Sequence, residues 1–454
     1  MEIFGIKIEM KHRPVFDPGF IPMGLFNTEF LKQAKKPVAI CLRRNDGLCN
    51  VYDTFITGTN HAADNFYIER MVKCLLWVRG GYHVTICGDE NAANHVAKEF
   101  CAAGKYAFDA DFMAGIYENN FAVDYLPLAQ KPPQNEKSRP LGGRMTGCNI
   151  GFDAGGSDRK VSAVIDGVAV FSEEVVWHPK ITADPRYHYD GIVEAFKRAA
   201  SHMPRVDSIG VSSAGIYIEN RTMAASLFLA VSKEDFEKHA KDIYIRAAAE
   251  IGPDIPLSVV NDGDVTALAG AMAMDAGNVL GIAMGTSQAG GYINAAGNVT
   301  GWLNELGFAP VDASPNAARD VWSGDIGTGV MYFSQDAVIK LAEKAGLALD
   351  TESPGAKLKQ AQDMLARNEN ADTIRQIYRD IGIYLGHTLP YYHGLYGFDH
   401  ALFLGRVMSG EGGGIIFAAA REVLADEYAH HNFATHIPDE KTRRVGQSVA
   451  AASL

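Results

Sequence analysis

The chain has 454 residues, 47% hydrophobic, 21% charged and 10% aromatic, which excludes a disordered, collagen-like or coiled-coil protein. At roughly 150 residues per domain the length leaves room for about two to four domains. The formal charge is −12, with 17 Lys and Arg against 16 Asp and Glu in residues 1–145 and 25 against 38 after them. Neither part is basic enough to grip a nucleic-acid backbone, although backbone amides can still hold a phosphate without Lys or Arg.

The N-terminal stretch MEIFGIKIEMKHR carries charges inside its apolar run and lacks the core of a secretory signal. KPVAICLRRNDGLCNVYDTFI predicts two strands joined at Asn45-Asp46-Gly47. Tyr67, Met71, Cys74, Leu75 and Val78 recur at helical spacing and predict a helix over 66–79. YHVTICGD reads as a strand and 91–103 as another helix. Residues 1–130 therefore form a mixed α/β region, but no cluster in it reveals a chemistry. All six cysteines fall before residue 149 without a C-x-x-C pair, so scattered buried thiols in a reducing compartment are expected. Residues 131–147, rich in Pro, Gly and charge, read as an exposed linker.

Beyond the linker, two strands flank Asp153-Ala154-Gly155-Gly156-Ser157 and a turn follows at Asp166-Gly167. A helix near 190–203, a strand over 207–213 and a long helical stretch over 232–250 come next. Strand 257–260 ends at Asn261-Asp262-Gly263-Asp264 and leads into a helix of small residues. The uncharged run from Ala276 to Asn304 holds seven glycines and four asparagines, too polar for a membrane span. It predicts a strand, a glycine-rich turn over 285–291 and a second strand. Helices near 334–346, 356–367 and 372–389 precede strand ALFLG, a turn over 405–414 and a last helix. Strands followed by helices in both halves favour two α/β lobes of one architecture. The sequence reads as cytoplasmic, with no membrane or nucleic-acid partner.

Three glycine-rich turns, 153–157, 285–291 and 405–414, each follow an apolar strand, and such turns can grip phosphate through backbone N–H groups. Singly, each reads better as a structural turn. No G-x-x-x-x-G-K-[ST] occurs, and GEGGGI lacks the last glycine of a dinucleotide fingerprint. MGTSQAG is like a nucleophile elbow around Ser287, but Ala289 stands where its second glycine belongs. Asp262 has two readings: a base for a substrate hydroxyl, or part of a turn that caps a helix.

In order, D-x-G-G-S, N-D, G-T-S-x-x-G-G and G-R-x-x-S-G-x-G-G-G make the stretch 147–454 resemble the ROK family of sugar kinases and repressors. The resemblance implies the actin-like ATPase fold: an α/β protein with two ribonuclease-H-like lobes, here 148–270 and 271–454, around a nucleotide cleft. The C-terminal helix would return to the first lobe. It implies an ATP-dependent sugar kinase, homodimeric, with Mg²⁺ as cofactor and sugar and nucleotide as its partners. Asp262 would be the catalytic base, and Asn261, Glu305, Ser213 and Gly215 would bind the sugar. ATP would meet Asp153, Gly155, Gly156, Ser157, Gly285, Thr286, Ser287, Gly405, Gly410, Gly412 and Gly413, with Asp153 beside Mg²⁺. A non-catalytic sugar sensor and a superfamily ATPase without a sugar are the alternatives.

The departures from the family pattern concern its zinc site and sugar pocket. Phe308 replaces the histidine of E-x-G-H, and the thiol positions fall on Val321, Ser323 and Thr328, which cannot make an N/S zinc site. No zinc is expected. Val330 stands where family kinases carry a second sugar-binding glutamate. Two roles are open to Phe308, stacking on a ligand ring or filling a core. His430, His431 and His436 lack a ligand pattern and read as solvated surface groups.

Overall fold

The computed structural model describes residues 1–138, 146–437 and 449–454. The N-terminal part folds around a four-stranded sheet. Its strands are β1 (Lys36–Arg43), β2 (Cys49–Ile56), β3 (His83–Cys87) and β4 (Ala122–Leu126) in the order β2-β1-β3-β4. Helices α1 (Met23–Leu31), α2 (His61–Arg79), α3 (Glu90–Glu99) and α4 (Ala107–Tyr117) belong to this part. The Asn60 side chain caps α2 by accepting from Ala63 N–H, and Gly80 ends the helix with positive φ. Residues 131–136 are not a free linker. Asn135 bridges Cys49 by two backbone hydrogen bonds, Gln134 accepts from Val51 N–H, and Glu136 pairs with Arg44. Pro132 and Pro133 hold this segment extended at a sheet edge, where a missing N–H costs little. The rest of that segment, 139–145, lies outside the described residues.

The second sheet has strands β5 (Cys148–Ala154), β6 (Asp158–Ile165), β7 (Val168–Val176), β8 (Ser208–Ser213) and β9 (Leu257–Asn261), in the order β9-β8-β5-β6-β7. β5 to β7 form an antiparallel meander, while β8 and β9 run parallel to β5. Helix α5 (Pro185–Ala200) buries Ile192, Ala195, Phe196 and Ala199 against this sheet, capped by Asp184 with Pro185 at its first turn. The single long helix expected over 232–250 is broken. A wide turn at Phe236–Ala240, where Lys241 N–H reaches Phe236 O, separates it from α6 (Ile243–Ala249).

Helix α7 (Asp262–Met274) leads to the third sheet, formed by β10 (Val279–Met284), β11 (Gln288–Ile293), β12 (His400–Leu404) and β13 (Ala434–His436) in the order β11-β10-β12-β13. Its pattern repeats that of the second sheet, an antiparallel hairpin flanked by parallel strands. Helices α8 (Gln335–Lys344), α9 (Pro354–Ala366), α10 (Ala371–Tyr396) and α11 (Gly410–Glu427) complete the chain. The expected turn over 285–291 is shorter than the sequence suggests, because Gly290 and Gly291 lie inside β11. A Cβ on Gly291 would stand 2.1 Å from Gly263 O, so these glycines let α7 seat directly on the strand. No helix among the described residues is long and apolar enough to cross a membrane.

One apolar core joins the N-terminal part to the third sheet, from Phe20, Phe26, Tyr67 and Trp77 to Tyr332, Tyr384 and Phe403. The second sheet has a core of its own around Ile150, Phe152, Phe196, Val211 and Tyr244. Across the seam between these bodies, Glu118 pairs with Arg221 and Lys241, both at 2.7 Å. The last residues, 449–454, pack with α7 and Leu402, and a Cβ on Gly210 of β8 would collide with Ala451 O at 1.7 Å. Of the six cysteines, Cys101 is exposed, and Cys41, Cys49 and Cys87 form a small cluster instead of being scattered.

Candidate active site

The site residues gather at the carboxyl ends of parallel strands, the edge where open α/β sheets bind ligands. In the second sheet Ala154, Ser213 and Asn261 lie in one register row, with Asp153 one residue behind and Asp262 one residue ahead. In the third sheet Ala283 pairs with Leu404, and the turns at Gly285 and Gly405 leave from that same edge.

Asn261 meets the capping expectation in full. Its Oδ1 accepts from Gly263 N–H at 2.7 Å, and its Nδ2 donates to Gly215 O at 2.7 Å. The carboxamide retains one N–H and one lone pair for a ligand. Asp262 then opens α7. Burial raises its carboxyl above the usual range, while the N–H groups of the helix start and the Lys180 ammonium oppose the shift. Asp264, one turn face further on, is buried; its Oδ1 accepts from Tyr292 N–H at 3.0 Å and Asn304 Nδ2 at 2.9 Å. Burial, with the Asp262 charge, lifts it to about 7. Burial and the charges of Asp262 and Asp264 lift Glu305 to about 8, and burial and Asp262 lift Asp153 to about 6. Four carboxyls thus crowd one site, Asp153 and Asp264 buried and Asp262 and Glu305 half-buried, and their mutual charge opposes full ionisation. They are suited to exchange hydrogen bonds with neutral hydroxyls.

The loop carrying Glu305 is held by the N-terminal part. Val78 O accepts from Asn304 N–H at 3.1 Å and Trp77 O accepts from Glu305 N–H at 3.0 Å, so the carbonyls ending α2 grip the loop. Asn304 has φ +55, and its Oδ1 takes the Tyr396 hydroxyl at 3.0 Å. Phe308 fills a core: its ring stacks on Trp77 at 4.2 Å, with Phe108 at 5.8 Å. Around the other departures, Thr328 is fully buried and Val321 is 91% exposed, while Asp325 pairs with Arg70 at 2.7 Å and Lys73 at 3.4 Å. Aromatic stacking and buried ion pairs to α2 thus occupy the surroundings of the expected zinc positions. Val330 opens a short helix beside Gly307.

Not every expected residue faces the cleft. Ser213 is fully buried and receives the Tyr244 hydroxyl at 3.1 Å, so its side chain belongs to the core. Gly412 and Gly413 lie in the first turn of α11, where a Cβ would strike the Tyr378 ring at 2.6 Å or Met408 O at 2.1 Å. They are glycines for helix packing. Gly410 is open, with φ +66 and no neighbour near its Cβ position. Thr286 Oγ1 accepts from Arg406 at 2.7 Å, which joins the 285–287 turn to the 405–410 turn. Gly285 N–H closes its turn on Ser287 O at 2.9 Å. Of His430, His431 and His436 only His430 is exposed; His431 packs on His393 and His436 lies 3.1 Å from His400.

A cavity of 210 Å³ opens beside Asn261 and Asp264, walled by Gly215 and Tyr217 on one side and by Arg44, Tyr117 and Trp302 on the other. Sequence reasoning assigned no role to Trp77, Asn304 or Lys180. Only Asn304 carried a signal, its place directly before Glu305.

The chain is similar in structure to a ROK hexokinase from Thermus thermophilus, with 16% identity over 67% of this chain and 97% of that one and a TM-score of 0.50. The fold is the ROK fold. A ROK family glucokinase from Streptomyces griseus in complex with glucose and AMPPNP follows at 18% identity, 67% and 98% coverage and a TM-score of 0.49. A ROK family transcriptional regulator, homologous to the E. coli MLC protein, has 15% identity, 67% and 78% coverage and a TM-score of 0.47. No family model and no curated protein matches the chain. The third of the chain outside the ROK likeness is thus comparable in extent to the N-terminal part that grips the Glu305 loop.

Proposed function

We propose that the chain is a ROK sugar kinase that transfers the γ-phosphoryl group of ATP to a hydroxyl of a hexose or related sugar. Residues 148–270 and 271–454 are its two lobes, and 1–130 form an added wall of the sugar side. The observation that carries this reading is the station of Asp262. In register it stands one residue past the row of Ala154, Ser213 and Asn261, at the strand ends that also carry Asp153 and its glycine turn, and its charge raises both Asp153 and Glu305. A carboxylate between a phosphate turn and a set of hydroxyl ligands is where phosphoryl transfer needs its base.

Asn261 and Glu305 orient the sugar, and Asp262 accepts the proton of the attacking hydroxyl. Backbone N–H groups of the 155–157 and 285–287 turns bind the phosphates, and catalysis comes from positioning and electrostatics. Asp153 is 7% exposed and lies directly before the first turn. Among the described residues no three acidic, His or Cys side chains form a metal cluster. One carboxylate completed by nucleotide phosphates and water fits the way Mg²⁺ is held in kinases. When bound, Mg²⁺ would supply neutralisation of phosphate charge.

The test is ADP release over a panel of hexoses, amino sugars and polyols, for the wild type and Asp262→Asn. Sugar-dependent turnover that falls by about 10²–10⁴ in the variant, with nucleotide binding retained, is expected. Turnover without sugar selects an ATPase. Absence of turnover together with sugar binding selects a sensor, and an active Asp262→Asn removes the base from the mechanism.

A further inference from the structure

The segment after β7 turns through Trp177, His178 and a short helical turn at Pro179–Ile181, and then feeds α5. It is docked onto the first glycine turn. The Trp177 indole Nε1–H donates to Gly155 O at 2.7 Å, and Trp177 N–H donates to Ser157 O at 3.1 Å. Pro179 is buried, its carbonyl 3.0 Å from His188 Nε2, and the Thr182 hydroxyl closes on His178 O at 2.7 Å. These contacts fix the backbone of Lys180 relative to Gly155–Ser157, and its side chain lies over Gly156. A Cβ on Gly156 would meet Lys180 Cε at 2.6 Å and Nζ at 2.9 Å.

The other cations near this turn are engaged. Lys160 pairs with Asp158 at 3.3 Å and Arg159 pairs with Glu194 at 2.6 Å. The Lys180 ammonium has neither a hydrogen bond nor an ion pair among the described residues. It is also the cation whose field reaches Asp262. The exposed Lys180 ammonium thus lies over a glycine turn, with its charge felt at the base and no ion pair among the described residues, and the terminal phosphoryl group of a nucleotide would supply one.

We propose that Lys180 is a further catalytic residue, whose ammonium binds the γ-phosphoryl oxygens of ATP and stabilises them during transfer. The proposal rests on the kinase reading for the transfer step. In that step the sugar oxygen bonds to the γ-phosphorus, the bond from that phosphorus to the β-bridging oxygen breaks, and its electron pair leaves on ADP. The hydroxyl proton goes to Asp262, and Lys180 keeps its own proton throughout. Because its partner is the γ group, Lys180 distinguishes ATP from ADP before any chemistry occurs.

The experiment measures ATP and ADP binding by calorimetry, without sugar, for the wild type, Lys180→Ala and Lys180→Arg, followed by kcat and KM for any sugar that supports turnover. Loss of a charge-assisted contact should weaken ATP binding by about tenfold or more in Lys180→Ala and leave ADP binding unchanged. kcat should fall by about 10²-fold or more with little change in sugar KM. Lys180→Arg should restore most of the ATP preference. Equal weakening of ATP and ADP, or no weakening, overturns the proposal, as does a wild type that binds no nucleotide. A wild type that binds ATP but shows no sugar-dependent turnover refutes the kinase reading alone, and the ATP-to-ADP ratio still decides the role of Lys180.

Discussion

Asp264→Asn tests whether crowding of carboxyls governs the stability of the site. Asp264 is 4% exposed, and both of its donors, Tyr292 N–H and Asn304 Nδ2, bind the same oxygen, Oδ1. An asparagine can present its own Oδ1 to both, so the substitution removes a charge while retaining the hydrogen bonds. The folded carboxyl titrates at about 7 against 3.8 for the free group, principally through burial. A folded pKa raised in this way stabilises the protein fully below the unfolded value, and that contribution is lost as pH rises through about 7. The ionised group then costs the folded state up to about 4 kcal/mol at pH 8. Urea unfolding of wild type and variant at pH 5 and pH 8 measures the difference. The variant should be more stable than the wild type at pH 8, by about 1–4 kcal/mol, and gain markedly less at pH 5. The same change removes one of the charges that raise Glu305, so the Glu305 carboxyl should titrate lower in the variant. A variant destabilised equally at both pH values would refute the reasoning, because it would show that the carboxylate itself, and not its acceptor oxygen, is required.

Phe308→Ala removes the ring stacked on Trp77; it should cost about 2–3 kcal/mol in unfolding measurements and raise sugar KM far more than ATP KM, because Glu305 shares its loop. Equal changes in both KM values would detach Phe308 from the sugar side. Gly405→Ala places a Cβ 2.3 Å from Met284 O at φ +103, so it should destabilise by at least about 2 kcal/mol and weaken nucleotide binding, read by melting and by calorimetry.

The site was legible where chemistry sits at the ends of short apolar strands. Asp153 with its glycine turn and Asn261-Asp262 before a helix stand at matching ends of parallel strands, as their sequence context implied. Glycines were legible as turns but not as to purpose. Gly412 and Gly413 yield to Tyr378 and Met408, and nothing in GEGGG separates that use from phosphate binding. The helix expected over 372–389 continues through Pro390 to Tyr396, because Leu389, Tyr392 and Tyr396 bury a face that outweighs the lost backbone bond. The grip of Trp77 and Val78 carbonyls on the Glu305 loop was invisible, since a backbone carbonyl leaves no trace in the identity of its residue. Residues 1–130 looked functionally silent for that reason.

The Glu118 ion pairs give the seam between the two cores a mechanical meaning. The N-terminal part and the third sheet share one apolar core, whereas the second sheet has a core of its own. The 210 Å³ cavity takes walls from both sides of that seam. Glu118, Arg221 and Lys241 tie the two sides together, and the Glu118–Arg221 half is partly open to solvent. Salt loosens such ties. Raising ionic strength should therefore weaken the tie between the two sides of the cavity, with no change to any residue that lines it.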